Sequence, residues 1–139
     1  MRSSPLLLVR FLESGRFHWM QALGRELGGP ERADQLIHGE GVSLILKSLT
    51  IDYKAPVTFP DTLLVAHKPH PGPNNGQGKT SFFVAGAIWS YAQRRIVTES
   101  DSVLVWYDYD KLSKCDPGEA AKAAIRRRMN LRGEEAGRS

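Results

Sequence analysis

The feature that most constrains this chain is an apolar stripe near its start. Leu8, Phe11, Leu12, Gly15, Trp19, Ala22 and Leu23 recur at the i, i+3, i+4, i+7 spacing of a single helix face. Ser4 suits the cap of such a helix, and Pro5 its first position, where a missing N–H costs nothing. Gly28-Gly29-Pro30 stops it. A helix from Pro5 to Leu27 is about 33 Å long, the width of a small domain. A stripe of that length must be covered by other elements.

The rest of the chain supplies strands for that cover. Glu31 to Gly41 is polar and reads as a connector with at most a helical turn. Val42 to Asp52 is rich in Val, Leu, Ile and Thr, as a strand should be. Ala55-Pro56 and Phe59-Pro60-Asp61 break it, since proline cannot donate to a ladder. Thr62 to Lys68, Thr80 to Tyr91 and Arg95 to Tyr107 are further strands, and the short Gln93-Arg94 link makes the last two a hairpin. Pro69 to Gly78 is a loop of Pro, Gly and Asn. Glu119 to Met129 reads as a helix that frays into Gly and charge. The expected class is α+β, with a curved antiparallel sheet wrapped around one long helix.

Composition narrows the partners. A chain of 139 residues, 41% hydrophobic and 24% charged, is one globular domain rather than a disordered or collagen-like chain. From Met1 to Asp110, 11 basic residues balance 11 acidic ones, whereas Lys111 to Ser139 holds 8 basic and 4 acidic. The net charge of +4 therefore lies in the tail, and the body is no cationic platform for nucleic acid. The division expected is 1–111 for the folded domain and 112–139 for a partly flexible basic helix and tail. No apolar run approaches the roughly 18 residues of a membrane span. Cys115, the only cysteine, forms no internal disulfide. Met1 to Arg10 also reads as an organelle-targeting leader, with Arg, Ser and Leu and no acid. The cytoplasm is the expected compartment and the mitochondrion the alternative.

Several near-motifs fail on physical grounds. Gly78-Lys79-Thr80 imitates a phosphate-binding loop, but Pro73 stands where its first glycine belongs, and a strand follows where a helix is required. His67 and His70 are three apart in a strand, which puts them on opposite faces, and no metal is expected. Cys115 reads as an idle thiol, and no Gly-x-Ser-x-Gly elbow is present. Glu13 has two readings. It either pairs with Arg16 at i, i+3, or it is a partly buried carboxylate that serves as base or nucleophile.

Three blocks carry a family resemblance. Phe11-Leu-Glu-Ser-Gly-Arg16 resembles the helix signature of hotdog-fold acyl-CoA thioesterases of the 4-hydroxybenzoyl-CoA thioesterase type. Leu49 to Leu63 is similar to the family's next block, in which a strand ends in Tyr-x-x-Pro and an Asp opens the following strand. Val97 to Asp108 resembles its last strand, so the likeness runs from about Leu6 to Lys111. It implies a hotdog fold, a homodimer or tetramer, no cofactor, and an acyl thioester carried by coenzyme A or a carrier protein.

The resemblance also sets the candidate site. Amides at the helix start, at Leu6 and Leu7, would polarise the thioester carbonyl. Arg94 and Arg95 are candidates for the coenzyme phosphates. The family's Asp-x-x-Gly-His-Val-Asn-like motif, which precedes the helix, has no counterpart here. Asp61 falls at a turn position of the pattern, leaving Glu13 as the candidate catalytic carboxylate. The expected function is an acyl-thioester hydrolase-like protein with weak or no turnover. The alternatives are a hotdog binding module without chemistry, or a hotdog dehydratase or isomerase, for which His18 is the helix histidine at hand.

Overall fold

A computed structural model describes residues 5–70 and 80–130 of the chain. Helix α1 spans Pro5–His38, longer than the stripe implied. Gly28 and Gly29 kink it, and Gly29 takes a positive φ of 75° that other residues rarely adopt. Pro30 then opens a second helical stretch, with Ala33 and Leu36 buried three residues apart. The segment expected to be a polar connector is therefore helical as far as His38. Its few apolar residues fall at helical spacing, and burying them outweighs the polarity of the rest.

Strands β1 (Val42–Tyr53), β2 (Leu63–His70), β3 (Ser81–Ser90) and β4 (Arg95–Asp108) lie within two residues of their expected bounds. A two-residue strand, β5 (Ser113–Lys114), pairs with β4. The order is β1-β4-β3-β2 with every ladder antiparallel, so β1 and β2 are the edges. One face of this sheet packs on α1, which is the α+β hotdog arrangement expected. Helix α2 (Glu119–Asn130) closes the described chain, burying Ala121, Ala124 and Ile125 while Arg126 and Arg127 stay exposed. Glu26 of α1 pairs with both Arg127 and Arg128 of α2. The Ser4 cap and the imitation of a phosphate loop, except for Thr80, fall outside the described residues.

The core has two parts. The larger joins Met20, Leu23 and Leu36 of α1 to Leu44, Phe82, Val84, Leu104 and Trp106 of the sheet and to α2. The smaller joins Leu8 and Leu12 to Val57, Ile88 and Val97. Each fully buried Leu or Phe contributes roughly 1.5–3 kcal/mol relative to exposure. The stripe is turned slightly from its expected setting: Ala22 is exposed, while Arg16 and Met20 are buried. Between the two clusters the sheet offers polar side chains to the helix.

Candidate functional site

That polar band begins on β4. Thr98, Ser100 and Ser102 alternate onto the face that packs on α1, and all three are buried. Farther along the same face the residues are Leu104 and Trp106. The ladders align Ser100 with Gly86 of β3, Gly86 with His67 of β2, and Ser100 with Ile51 of β1. A single row thus crosses the sheet beneath the helix.

Two glycines make room for this row. A Cβ on Gly86 would stand 2.5 Å from Ser100 Oγ and 3.0 Å from His67 Nε2. A Cβ on Gly15 of α1 would stand 2.7 Å from Val65 Cγ1 and 3.0 Å from His67 Cε1. The imidazole of His67 therefore lies between bare backbone on both sides. Burial, helped by the positive charge of nearby Arg16, pushes its pKa down to about 4. His67 is neutral at neutral pH, able to donate one hydrogen bond and accept another. Burial also lowers the Arg16 pKa, opposed by Glu13. Ser102 Oγ donates to Val84 O at 3.1 Å, while the buried Thr98 Oγ1 has no partner.

Beside the row, α1, β2 and the segment leading into β2 line an open, mostly apolar cleft of about 230 Å³, bordered by Phe11, Phe59, Asp61, Leu63 and Val65. Asp61 is structural in its bonding. Ser90 Oγ and the Ala92 amide donate to its two oxygens, at 2.5 and 3.0 Å, which ties β2 to the β3–β4 turn. These bonds, led by the Ser90 hydroxyl, hold its carboxyl below the usual range. A roomier hollow of about 340 Å³ lies among Thr50, Asp52, His70, Glu99 and Asp101. Its polar side chains are already engaged with one another: Lys54 reaches Asp52 and Glu99 at 3.1 and 3.2 Å, and His70 Nε2 hydrogen-bonds Asp101 at 2.9 Å. The smaller cleft, with an apolar wall and a helix start beside it, is better suited to an organic ligand.

The residues expected from the sequence now have places. Leu6 is exposed and Leu7 half-buried in the opening turn of α1. Leu8, one residue on, packs with Ile88 and Val97 near the β3–β4 hairpin end. Arg94 and Arg95 are exposed at that hairpin, where Asp61 also binds. The helix start, the cleft and the two arginines are thus gathered at one end of the sheet. Glu13 and His18 are exposed on α1, and among the described residues Glu13 makes no ion pair with Arg16. Cys115 is half-buried, and burial raises its pKa, as suits an inert thiol. Among the described residues no three His, Cys, Asp or Glu side chains come together to hold a metal ion. None of their helices is long and apolar enough to cross a membrane.

The polar row is not evident from composition, yet the sequence carries a signal of it. Thr98, Ser100 and Ser102 interrupt at period two a strand whose neighbours on that face are apolar. Spacing offers Arg16 only as a partner for Glu13, whereas its side chain is buried.

A family model described as the thioesterase-like superfamily matches residues 7–125. The chain belongs to the thioesterase-like superfamily. Solved members of the fold agree. A Thermus thermophilus thioesterase complexed with coenzyme A and Zn is 17% identical, with a TM-score of 0.65 over 92% of this chain and 82% of that one. A 1,4-dihydroxy-2-naphthoyl-CoA thioesterase from Synechocystis is 15% identical, with a TM-score of 0.69 over 94% and 85%. A predicted thioesterase from Bacillus stearothermophilus is 14% identical, with a TM-score of 0.71 over 95% and 86%. At these identities the likeness is one of fold. No curated protein sequence matches the chain. Membership of this superfamily supports an acyl-thioester hydrolase-like function at the family level.

Proposed function

We infer that this thioesterase-like chain binds acyl-CoA thioesters in the cleft between α1 and β2 and hydrolyses them weakly. The observation that carries the reading is the gathering of three parts at one end of the sheet: the helix start, the apolar cleft and the Arg94–Arg95 turn. The acyl group lies against Phe11, Phe59, Leu63 and Val65, with the thioester carbonyl toward the opening turn at Leu6 and Leu7. The positive end of the helix favours the oxyanion that develops when water adds to that carbonyl. Arg94 and Arg95 meet the phosphates outside the cleft.

Turnover is weak because, among the described residues, no free carboxylate lines the cleft. Asp61 is held by the hairpin, and Glu13 points into solvent. A positioned general base contributes about 10²–10⁴-fold. The same fact favours a second reading, a hotdog module that binds thioesters without chemistry. β1 and β2, the edges of the described sheet, suit assembly into a homodimer.

Calorimetric titration with butyryl-CoA, followed by thiol release on the same sample, tests both readings. Binding with slow thiol release is the expected result. Fast turnover, like that of a thioesterase with its general base, removes the weak-activity argument. No binding at millimolar ligand removes the thioester reading itself.

A further inference from the structure

Beside the polar row, α1 carries a buried charge, Arg16, that no acidic side chain among the described residues pairs with directly. Arg16 is only 7% exposed. Among the described residues no carboxylate lies within 4 Å of its guanidinium. Glu13, one turn back on the helix, is exposed and acts on it only at a distance. Buried cations are ordinarily paired, and buried hydroxyls ordinarily bonded. Here an arginine, a neutral histidine, two serines and an unpartnered threonine share one helix-facing region between two apolar clusters.

We propose that this row receives the far end of the acyl group, and that this end is a second carboxylate. The substrate class is then the half-thioester of a short dicarboxylic acid. The proposal rests on the thioester reading above and specifies its acyl group. Strand alternation gives the direction from the cleft to the row. Leu63 and Val65 line the cleft, and His67 is the next residue on the same face, packed with Val65 at Gly15. From Leu63 to His67 the strand advances about 13 Å. On the helix, Leu7 to Gly15 covers about 12 Å. Allowing a hydrogen bond of about 3 Å at each end leaves space for an acyl chain of only a few carbons.

The chemistry at the far end favours an anion over a methyl group. A carboxylate beside Arg16 accepts charge-assisted hydrogen bonds, bidentate where the guanidinium presents its fork, and Ser100 is a further donor in the row. A methyl terminus leaves the cation unpaired and removes water from it as well. Neutral His67 meets the carboxylate without competing for Arg16, since it carries no charge of its own at neutral pH.

Glutaryl-CoA and valeryl-CoA, equal in carbon number, are the probes, titrated calorimetrically into the unaltered chain. Glutaryl-CoA is expected to bind at least tenfold more tightly. In Arg16→Met the ratio of the two dissociation constants should fall close to one. A buried arginine also packs, so Ser100→Ala, which removes one small hydroxyl, provides a variant that keeps its fold. There the ratio should fall severalfold. Equal binding of the two thioesters, or tighter binding of valeryl-CoA, overturns the dicarboxylate proposal and leaves the thioester reading standing. If neither thioester binds, both fall. A glutaryl preference unchanged in both variants also overturns the assignment to this row.

Discussion

The two halves of the core are built from similar aliphatic residues but are enclosed differently. The larger cluster, around Leu23, Phe82 and Trp106, is walled by the sheet on one side and by both helices on the other. The smaller, around Leu8, Leu12 and Ile88, has half-buried Phe11, Phe59, Leu63 and Val65 at its margin, and all four border the open cleft. The polar row lies between them. One half is sealed and the other ends in a space that a ligand can occupy. Stability and binding are thereby assigned to different ends of the same helix.

Matched truncations test that division with the largest effect. Leu23 and Leu12 are 0% and 1% exposed, so Leu→Ala removes the same atoms from equally buried sites. Such substitutions cost about 2–5 kcal/mol, depending on how far the site can collapse. Leu23→Ala should fall at the upper end, because its neighbours are fixed by α2 and by aromatic packing of Phe82 on Trp19 and Trp106. Leu12→Ala should fall at the lower end, because side chains at the cleft margin can move inward. Urea denaturation of both variants measures this. A Leu12→Ala cost equal to or above that of Leu23→Ala would break the comparison.

Acid provides a smaller and more local probe of the row between the clusters. Burial drops the His67 pKa from 6.5 to about 4. The unfolded chain therefore takes up this proton first as pH falls. The contribution of His67 is fully present above about pH 6.5 and is lost progressively down to about pH 4. A single proton can impose a slope of at most about 1.4 kcal/mol per pH unit, and partial exposure of the ring reduces it. His67→Gln should flatten the stability curve in that window and leave it unchanged above. An unaltered slope would show that His67 is already solvated and that the row is not dry.

How much of this was legible in the sequence follows from periodicity. The strands were readable because alternation and β-branched composition are local signals, and most breakers were prolines or glycine-rich runs, the Gln93-Arg94 hairpin link being the exception. The extent of α1 was not, since Ala33 and Leu36 are just two buried residues within a polar segment. Their worth depends on the sheet they meet. Leu6, Leu7, Arg94 and Arg95 are candidates through family likeness and chemistry rather than spacing. The polar row needed the register of the ladders, because His67, Gly86 and Ser100 become neighbours only once three strands are paired. A buried arginine and an exposed one also look alike in sequence.

Glu13 supplies the smallest expected effect. The sequence allowed it to be a base or a partner for Arg16, yet it is exposed and forms no ion pair among the described residues. Arg16, three residues on, is drawn toward the sheet, so the i, i+3 spacing that would ordinarily bring the two together does not close. What remains is long-range attraction through solvent, worth at most a few tenths of a kcal/mol. Glu13→Gln should therefore shift the denaturation midpoint barely beyond error and leave the slow thiol release from butyryl-CoA unchanged. A loss of that residual rate with the fold intact would make Glu13 the working base. The catalytic centre would then belong on the outer side of α1, and the division between a sealed half and an open half would no longer describe where this chain does its chemistry.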